Sequence, residues 1–228
     1  MRIRGILLDY GGTLDGPASH WLDRFVELYR EAGIERPFAE IKEAFYQADD
    51  ASYAEPGLAG VGLLPLMEFH VGRQLRALGI DQPQLQRRLV DRFVEMSAAA
   101  LTASRAVLQL LASRFRLGVV SNFYGNVDRI LADAGIAPLL SVIVDSQRVG
   151  LSKPDPRLYT YAVDALGVPA AEILHVGDSY ERDVVAAQRA GLRTAWLVAH
   201  RPAPQPPGPA PDLCIRSLDE LLAYLDVF

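Results

Sequence analysis

The sequence predicts an α/β fold, a parallel sheet interrupted by one all-helical insertion. Two observations carry this. In the second half of the chain, apolar runs of strand length alternate with helical periodicity, the pattern of parallel strands joined by right-handed crossovers. One apolar run precedes a long helical block and at least four follow it, so the block is inserted into a single sheet. The boundaries predicted are a core of residues 1–15 and 101–228 and a helical cap of residues 16–100.

The first strand is Ile6-Leu7-Leu8, which ends at Asp9 and runs straight into Tyr10-Gly11-Gly12-Thr13-Leu14. Asp15-Gly16-Pro17 breaks the pattern, and helical spacing begins with Trp21, Phe25, Leu28 and Ala32 on one face. Gly33-Ile34 stops this helix, as a glycine followed by an apolar residue commonly does. A second helix covers about 38–47, a glycine-rich loop 55–62, and a third helix about 63–78, stopped by Gly79-Ile80. Asp81 is expected to cap a fourth helix reaching Ser97, with a separate helix over 104–114.

Strands then follow at 117–121, 142–145, 173–177 and 194–198. The helices between them, at 126–134 and 156–166 and after the fourth strand, end at Gly135-Ile136, Gly167-Val168 and Gly191-Leu192. The proline-rich stretch 200–211 reads as a surface loop, 213–215 as a sixth, edge strand, and 217–224 as a final helix.

The 228 residues are half hydrophobic and 22% charged, enough for one large domain or a core with a smaller insertion. A net charge of −5 argues against non-specific nucleic-acid binding. No run approaches the roughly 18 apolar residues that span a membrane, and the N-terminal run is too short for a signal peptide. A cytoplasmic location is expected. The single cysteine, Cys214, excludes a disulfide framework and reads as a small buried hydrophobe. Only Lys42 and Lys153 are lysines among the basic residues, which marks both for attention.

In a parallel sheet the strand ends share one edge, so Asp9, Ser121-Asn122 and Asp178 converge on one crevice. Asp183 follows Asp178 within about one turn, at the start of a helix. The three carboxylates would repel one another, and oxygen-only ligands of this kind suit magnesium. The plainer alternative is that Asp178 and Asp183 cap the helix. Lys153 lies in Ser152-Lys153-Pro154-Asp155-Pro156, a loop stiffened by two prolines. Its ammonium is placed to neutralise Asp9 and to bind phosphate as a point charge. His175, inside a strand, reads as a satisfied core residue or one behind the site. His200 has an equally bland reading, and Trp21 and Trp196 read as packing.

Four motifs in order resemble the haloacid dehalogenase superfamily: Leu8-Asp9-Tyr10-Gly11-Gly12-Thr13-Leu14, Ser121-Asn122, Lys153-Pro154, and Gly177-Asp178-Ser179 with Asp183. The resemblance spans essentially the whole chain and implies a Rossmann-like core with a helical cap. It further implies a hydrolase in which Asp9 takes up a phosphoryl group from a small phosphorylated substrate. Ser121 and Asn122 would bind phosphate, and Lys153 would orient the nucleophile and bind charge. Asp9, the backbone carbonyl of Gly11 and Asp178 would hold Mg2+, with Asp183 bound to it directly or one layer behind.

One position departs from the pattern. Phosphatases of this family carry a second aspartate two residues after the nucleophile, which protonates the leaving group and later activates water. Here that residue is Gly11. General acid–base help is worth roughly 10²–10⁴ in rate, so alkyl phosphates should turn over slowly. Tyr10, Tyr124, His20 and His70 are the candidate replacements, or the substrate is one, such as an acyl phosphate, whose leaving group needs no proton. Two alternatives stand beside this reading. One is the family's carbon-attacking dehalogenase or phosphonate-cleaving chemistry, the latter needing a cap lysine, for which Lys42 is the only candidate. The other is a phosphate-binding or regulatory protein with little turnover.

Overall fold

In the computed structural model, which describes residues 2–16, 18–198 and 206–225, the apolar runs pair into one sheet of six parallel strands. The strands are β1 (Gly5–Leu8), β2 (Arg116–Ser121), β3 (Val142–Asp145), β4 (Ile173–Gly177), β5 (Arg193–Leu197) and β6 (Leu213–Ile215). Their order across the sheet is β3-β2-β1-β4-β5-β6. The register sets Leu8 beside Val119 of β2 and Val176 of β4. Because both neighbours of β1 are strands and both its faces are covered, every residue of β1 is buried. Alternation along the strand sends Ile6 and Leu8 to the apolar layer that runs into the helical block. Leu7 faces the opposite layer, with Val120, Val144 and Tyr159. The strand order reverses between β1 and β4, and the crevice outside their carboxyl ends is where such sheets bind ligands.

Between β1 and β2 the chain forms four helices, α1 (Trp21–Glu31), α2 (Phe38–Ala54), α3 (Leu63–Ala77) and α4 (Pro83–Ala112). After β2 come α5 (Val127–Asp133), α6 (Ser146–Val149), α7 (Pro156–Leu166), α8 (Ala186–Arg189) and α9 (Glu220–Leu225). The glycine stops behave as expected. Ile34, Ile80 and Ile136 each donate their N–H at 2.8 Å to the carbonyl five residues back, which closes the helix end.

The largest departure is α4. The two helices expected at 81–97 and 104–114 are one helix of 30 residues, which runs through residue 100 without a break. Its buried stripe is Leu85, Leu89, Phe93, Ser97, Leu101, Ser104, Leu108 and Leu111. Two serines on that stripe interrupt the apolar periodicity in the sequence, although the helical spacing continues through them. Asp81 does not cap it either: Gln82 is the N-cap and Pro83, with its preset φ, opens the first turn. The second helix reaches Ala54 rather than 47, and the last begins at Glu220 rather than 217.

Cys214 is also corrected. It is exposed, because β6 is an edge strand and its alternate residue Ile215 takes the buried face. The expected loop at 200–211 lies partly, and His200 wholly, outside the described residues. Among the described residues no helix is long and apolar enough to cross a membrane.

A buried ion pair ties the helices to the end of β1. Asp15 accepts from the Gly12 N–H at 2.8 Å, the Trp21 indole at 2.7 Å and the Arg24 guanidinium at 2.9 Å. Arg24 reaches on to the Ser97 hydroxyl at 2.7 Å and stacks over Phe93, and Ser104 donates to the Leu14 carbonyl. The two serines that hide α4 in the sequence are thus the polar contacts that fasten it. Removing one partner of a buried pair leaves an uncompensated charge, at a cost of about 3–5 kcal/mol. Arg24→Met should therefore lower the unfolding free energy by that much, seen as a lower urea midpoint at unchanged m-value. Combining it with Asp15→Asn should recover most of the loss.

Candidate active site

Each predicted site residue leaves the carboxyl edge of the sheet from a different element. Asp9 directly follows β1, and its N–H extends the ladder to the Val176 carbonyl at 2.9 Å. Ser121 ends β2, Asp178 follows β4, and Asp183 lies one turn on, in a short π-helical segment, Tyr180–Val185. Lys153 comes from the loop between α6 and α7. All of them, with Gly11 and Asn122, line one cavity of about 550 Å³.

Lys153 is the centre of the charge arrangement. Its buried ammonium donates to Asp9 Oδ1 at 2.7 Å and to Asp183 Oδ1 at 2.6 Å. Burial opposes the ammonium, but Asp183 and Asp9 together outweigh it and hold the Lys153 pKa above its ordinary value. Asn122 sets the loop that carries it, with its side-chain amide paired both ways to the Lys153 backbone at 2.8 and 3.0 Å. The Asn122 side chain is thereby spent on positioning. Ser121 keeps a hydroxyl with no partner among the described residues.

The three carboxylates differ. Burial opposes ionisation of Asp183 too, yet Lys153 and His175 hold it well below the usual carboxylate range. Asp183 also accepts from the Ser179 N–H at 3.0 Å, but it lies inside the segment, whose N-cap is Ser179 with no side-chain cap bond. His175 lies behind it, with Nε2 at 3.2 Å from Asp183 Oδ1 and 3.1 Å from the Tyr159 hydroxyl. Asp9 is raised, with burial and Asp183 overcoming Lys153. Asp178 is raised well above its ordinary value by burial, then by Asp183 and Asp9. No side chain among the described residues donates to its carboxylate. Each of the three offers an oxygen within 4.8 Å of the others. Fully ionised, three carboxylates and one ammonium leave two negative charges, the complement of a divalent cation.

Glycine is required here twice. A Cβ at Gly177 would lie 2.3 Å from Asp183 Cγ, and one at Gly12 would lie 2.5 Å from Asp178 Oδ2, where the backbone is also left-handed with φ +78°. Both glycines exist so that a carboxylate can approach the backbone. Gly11 is different. Its φ is ordinary and a Cβ there would meet nothing nearer than Trp21 Nε1 at 4.0 Å. Neither turn nor packing demands glycine at that position.

The four candidate proton carriers separate cleanly. Tyr10 is fully buried with its hydroxyl unpartnered, and His70 is buried within α3 and pulled down to about 3 by burial. Neither lines the cavity. His20 and Tyr124 do, beside Asp49, Tyr53 and Arg182, which the sequence offered no means of finding. Asp49 sits in Ala48-Asp49-Asp50 on an amphipathic helix, where an acid looks like any solvated residue. Trp21 packs as expected but also lines the cavity, and Lys42 is exposed on α2 away from it.

The raised pKa of Asp178 has a consequence for stability. A carboxyl whose folded pKa lies above its unfolded value contributes least when pH exceeds both. Asp178→Asn should therefore raise the urea midpoint at pH 7 with a chelator present. That gain should vanish below the ordinary carboxylate value of about 3.9, where Asp178 is protonated in both states.

The sequence pattern of the haloacid dehalogenase-like hydrolases matches residues 3–191. The pyrimidine 5'-nucleotidase YjjG of Escherichia coli is 29% identical over 146 residues, covering 63% of this chain and 64% of that protein, just under two thirds of its length. The phosphoserine phosphatase of Thermus thermophilus is 31% identical over 244 residues, covering 95% and 96%. The fold is similar to that of the HAD-hydrolase YfnB from Bacillus subtilis bound to magnesium, with TM-score 0.60 at 22% identity over 99% and 100% of the two chains. The order of the strands, the carboxyl-edge crevice and the match along most of its length lead to one conclusion: this chain is an enzyme of the haloacid dehalogenase-like hydrolase family.

Proposed function

We propose that this chain is a magnesium-dependent phosphohydrolase that moves the phosphoryl group of a small phosphorylated metabolite first to Asp9 and then to water. The observation that carries the reading is the arrangement around Asp9. Lys153 occupies one of its oxygens, no donor among the described residues holds the other, and the carboxylate opens onto a cavity of about 550 Å³. That volume is in the range of small-molecule sites. The phosphatases among its relatives support the same reading.

In this reading Lys153 keeps Asp9 aimed and shares the charge of the phosphoryl oxygens, while the free Ser121 hydroxyl and the Asn122 N–H hold two of them. Asp9, Asp178 and the Gly11 carbonyl are the ligands for Mg2+, with Asp183 kept ionised beside them. The donor set fits such an ion, with oxygen ligands only and two uncompensated charges. When bound, the metal supplies charge that shields the nucleophile from the phosphate and stabilises the transferring group. The helical insertion, rooted beside Asp9, is the cap that encloses the substrate; the boundary we assign to it ends within α4. The dehalogenase alternative attacks carbon without a metal and leaves Asp178 with no role. The phosphonate-cleaving alternative needs a cap lysine in the cavity, and Lys42 is not there.

Phosphate release from a panel of alkyl, aryl and acyl phosphates, with and without Mg2+, tests the reading. Release should require Mg2+ and Asp9, so that Asp9→Asn reduces it to background for every substrate. Chloride release from 2-haloacids without metal would contradict it, and phosphate binding without release would favour a binding protein. A Cβ at Gly11 meets no steric obstacle, and Gly11→Asp should raise turnover of alkyl phosphates by up to about 10²-fold if no other cavity group already carries the proton. The gain is read as kcat on alkyl against aryl substrates, and an unchanged ratio would place the proton carrier elsewhere in the cavity.

A further inference from the structure

Gly11 leaves the proposed reaction with no side chain to protonate the departing oxygen. The cavity wall on the helical side holds one carboxyl that the reaction does not yet use. Asp49, on α2, is half-buried and lines the same cavity as Asp9. It accepts a short hydrogen bond from the Tyr124 hydroxyl. Tyr124 lies three residues beyond Ser121 on the loop after β2, so Asp49 is one hydrogen bond away from that loop. A line of contacts also joins it to the open space over Gly11. A Cβ at Gly11 would face Trp21 Nε1, the Trp21 and Tyr124 rings stand 6.4 Å apart, and Tyr124 holds Asp49.

Three other cavity groups, His20, Tyr124 and Lys153, are chemically committed. His20 Nδ1 accepts the Leu22 N–H at 3.2 Å as the cap of α1, so the ring is neutral with its proton on Nε2. A second proton would break that cap, and loss of the first would leave an imidazolate. The Tyr124 proton is already given to Asp49. Lys153 is engaged by two carboxylates. Around Asp49, burial favours the protonated carboxyl. The Tyr124 hydrogen bond opposes this, Asp50 on the same helix reinforces it, and His20 and Arg182 across the cavity oppose it. The balance leaves a carboxyl above its ordinary range, lining the same cavity as Asp9, whose ionised form the Lys153 ammonium supports by a direct hydrogen bond.

We propose that Asp49 is the catalytic acid and base that takes the place left empty at Gly11, a role that rests on the phosphohydrolase reading. In the first displacement an Asp9 oxygen bonds to phosphorus and the ester P–O bond breaks. The electron pair stays on the departing oxygen, which takes the Asp49 proton and leaves as the alcohol. In the second, the Asp49 carboxylate takes a proton from water as the water oxygen bonds to phosphorus. The bond to Asp9 breaks, its electron pair returns to the carboxylate, inorganic phosphate leaves, and Asp49 is protonated again.

Asp49→Asn tests this, because the amide keeps both the volume and the oxygen that Tyr124 bonds. First-turnover rates are measured in Mg2+ on an alkyl monophosphate and on p-nitrophenyl phosphate, whose leaving group needs no proton. Alcohol release from the alkyl ester should fall by about 10²–10⁴-fold. Nitrophenolate should still appear as a stoichiometric burst within a few-fold of the unsubstituted rate, followed by slow turnover as the phosphorylated Asp9 waits for a base. In the unsubstituted enzyme the alkyl-to-aryl ratio of first-turnover rates should fall as pH rises through the Asp49 titration, and in Asp49→Asn it should be flat. An equal loss on both substrates would mean that Asp49 only binds, and no loss on either would mean that it is not involved. Both results overturn the proposal. Asp9→Asn run alongside separates the two levels, since phosphoryl transfer surviving in that variant would refute the phosphohydrolase reading itself.

Discussion

The arrangement depends on one buried ammonium. Lys153 holds Asp9 and Asp183 at hydrogen-bond distance from a single nitrogen, away from solvent. Three carboxylates drawn to one point by the sheet would otherwise repel each other in a low-dielectric setting, where such repulsion is large. Lys153 relieves part of that and leaves the rest. The residue of negative charge is concentrated on Asp178, whose carboxylate receives no side-chain donor among the described residues and is driven toward protonation. A site of this kind is strained toward a cation or toward a proton.

The backbone makes that concentration possible. Gly12 and Gly177 remove the Cβ atoms that would keep Asp178 and Asp183 at a distance, and the reversal of strand order at β1–β4 brings the two strand ends side by side. The same neighbourhood is fastened to the helices through Asp15 and Arg24, so the loop that carries Gly11 and Gly12 is also the root of the insertion. The helical insertion and the placement of Asp9 thus share one set of contacts. A change in Arg24, which does not itself line the cavity, bears on both.

Gly11 and Gly12 are neighbours that look alike in sequence and are unlike in physics. Gly12 is constrained by its φ and by Asp178; Gly11 is constrained by neither. Room exists at Gly11 for a Cβ, and the indole of Trp21 borders that room. In our reading the proton is carried from the opposite wall, by an acid whose environment is made by Tyr124, His20 and Arg182.

Much of this was determined by the sequence alone. Strand ends bearing Asp9, Ser121 and Asp178, a lysine between prolines, and glycines that stop helices are local signals, set by chain periodicity and by the conformations that glycine and proline allow. The cavity gathers all seven of the site residues they predict. What the tertiary structure decided is of another kind. That α4 is a single helix depends on two serines whose buried partners, Arg24 and the Leu14 carbonyl, lie far away in the chain. That Asn122 serves Lys153, and that Asp49 faces the nucleophile's cavity, follow from contacts across 31 and 75 residues respectively, in the second case through Tyr124. An acid on an amphipathic helix has the same local pattern whether it meets water or an active site, and only the contact of α2 with the loop after β2 distinguishes the two.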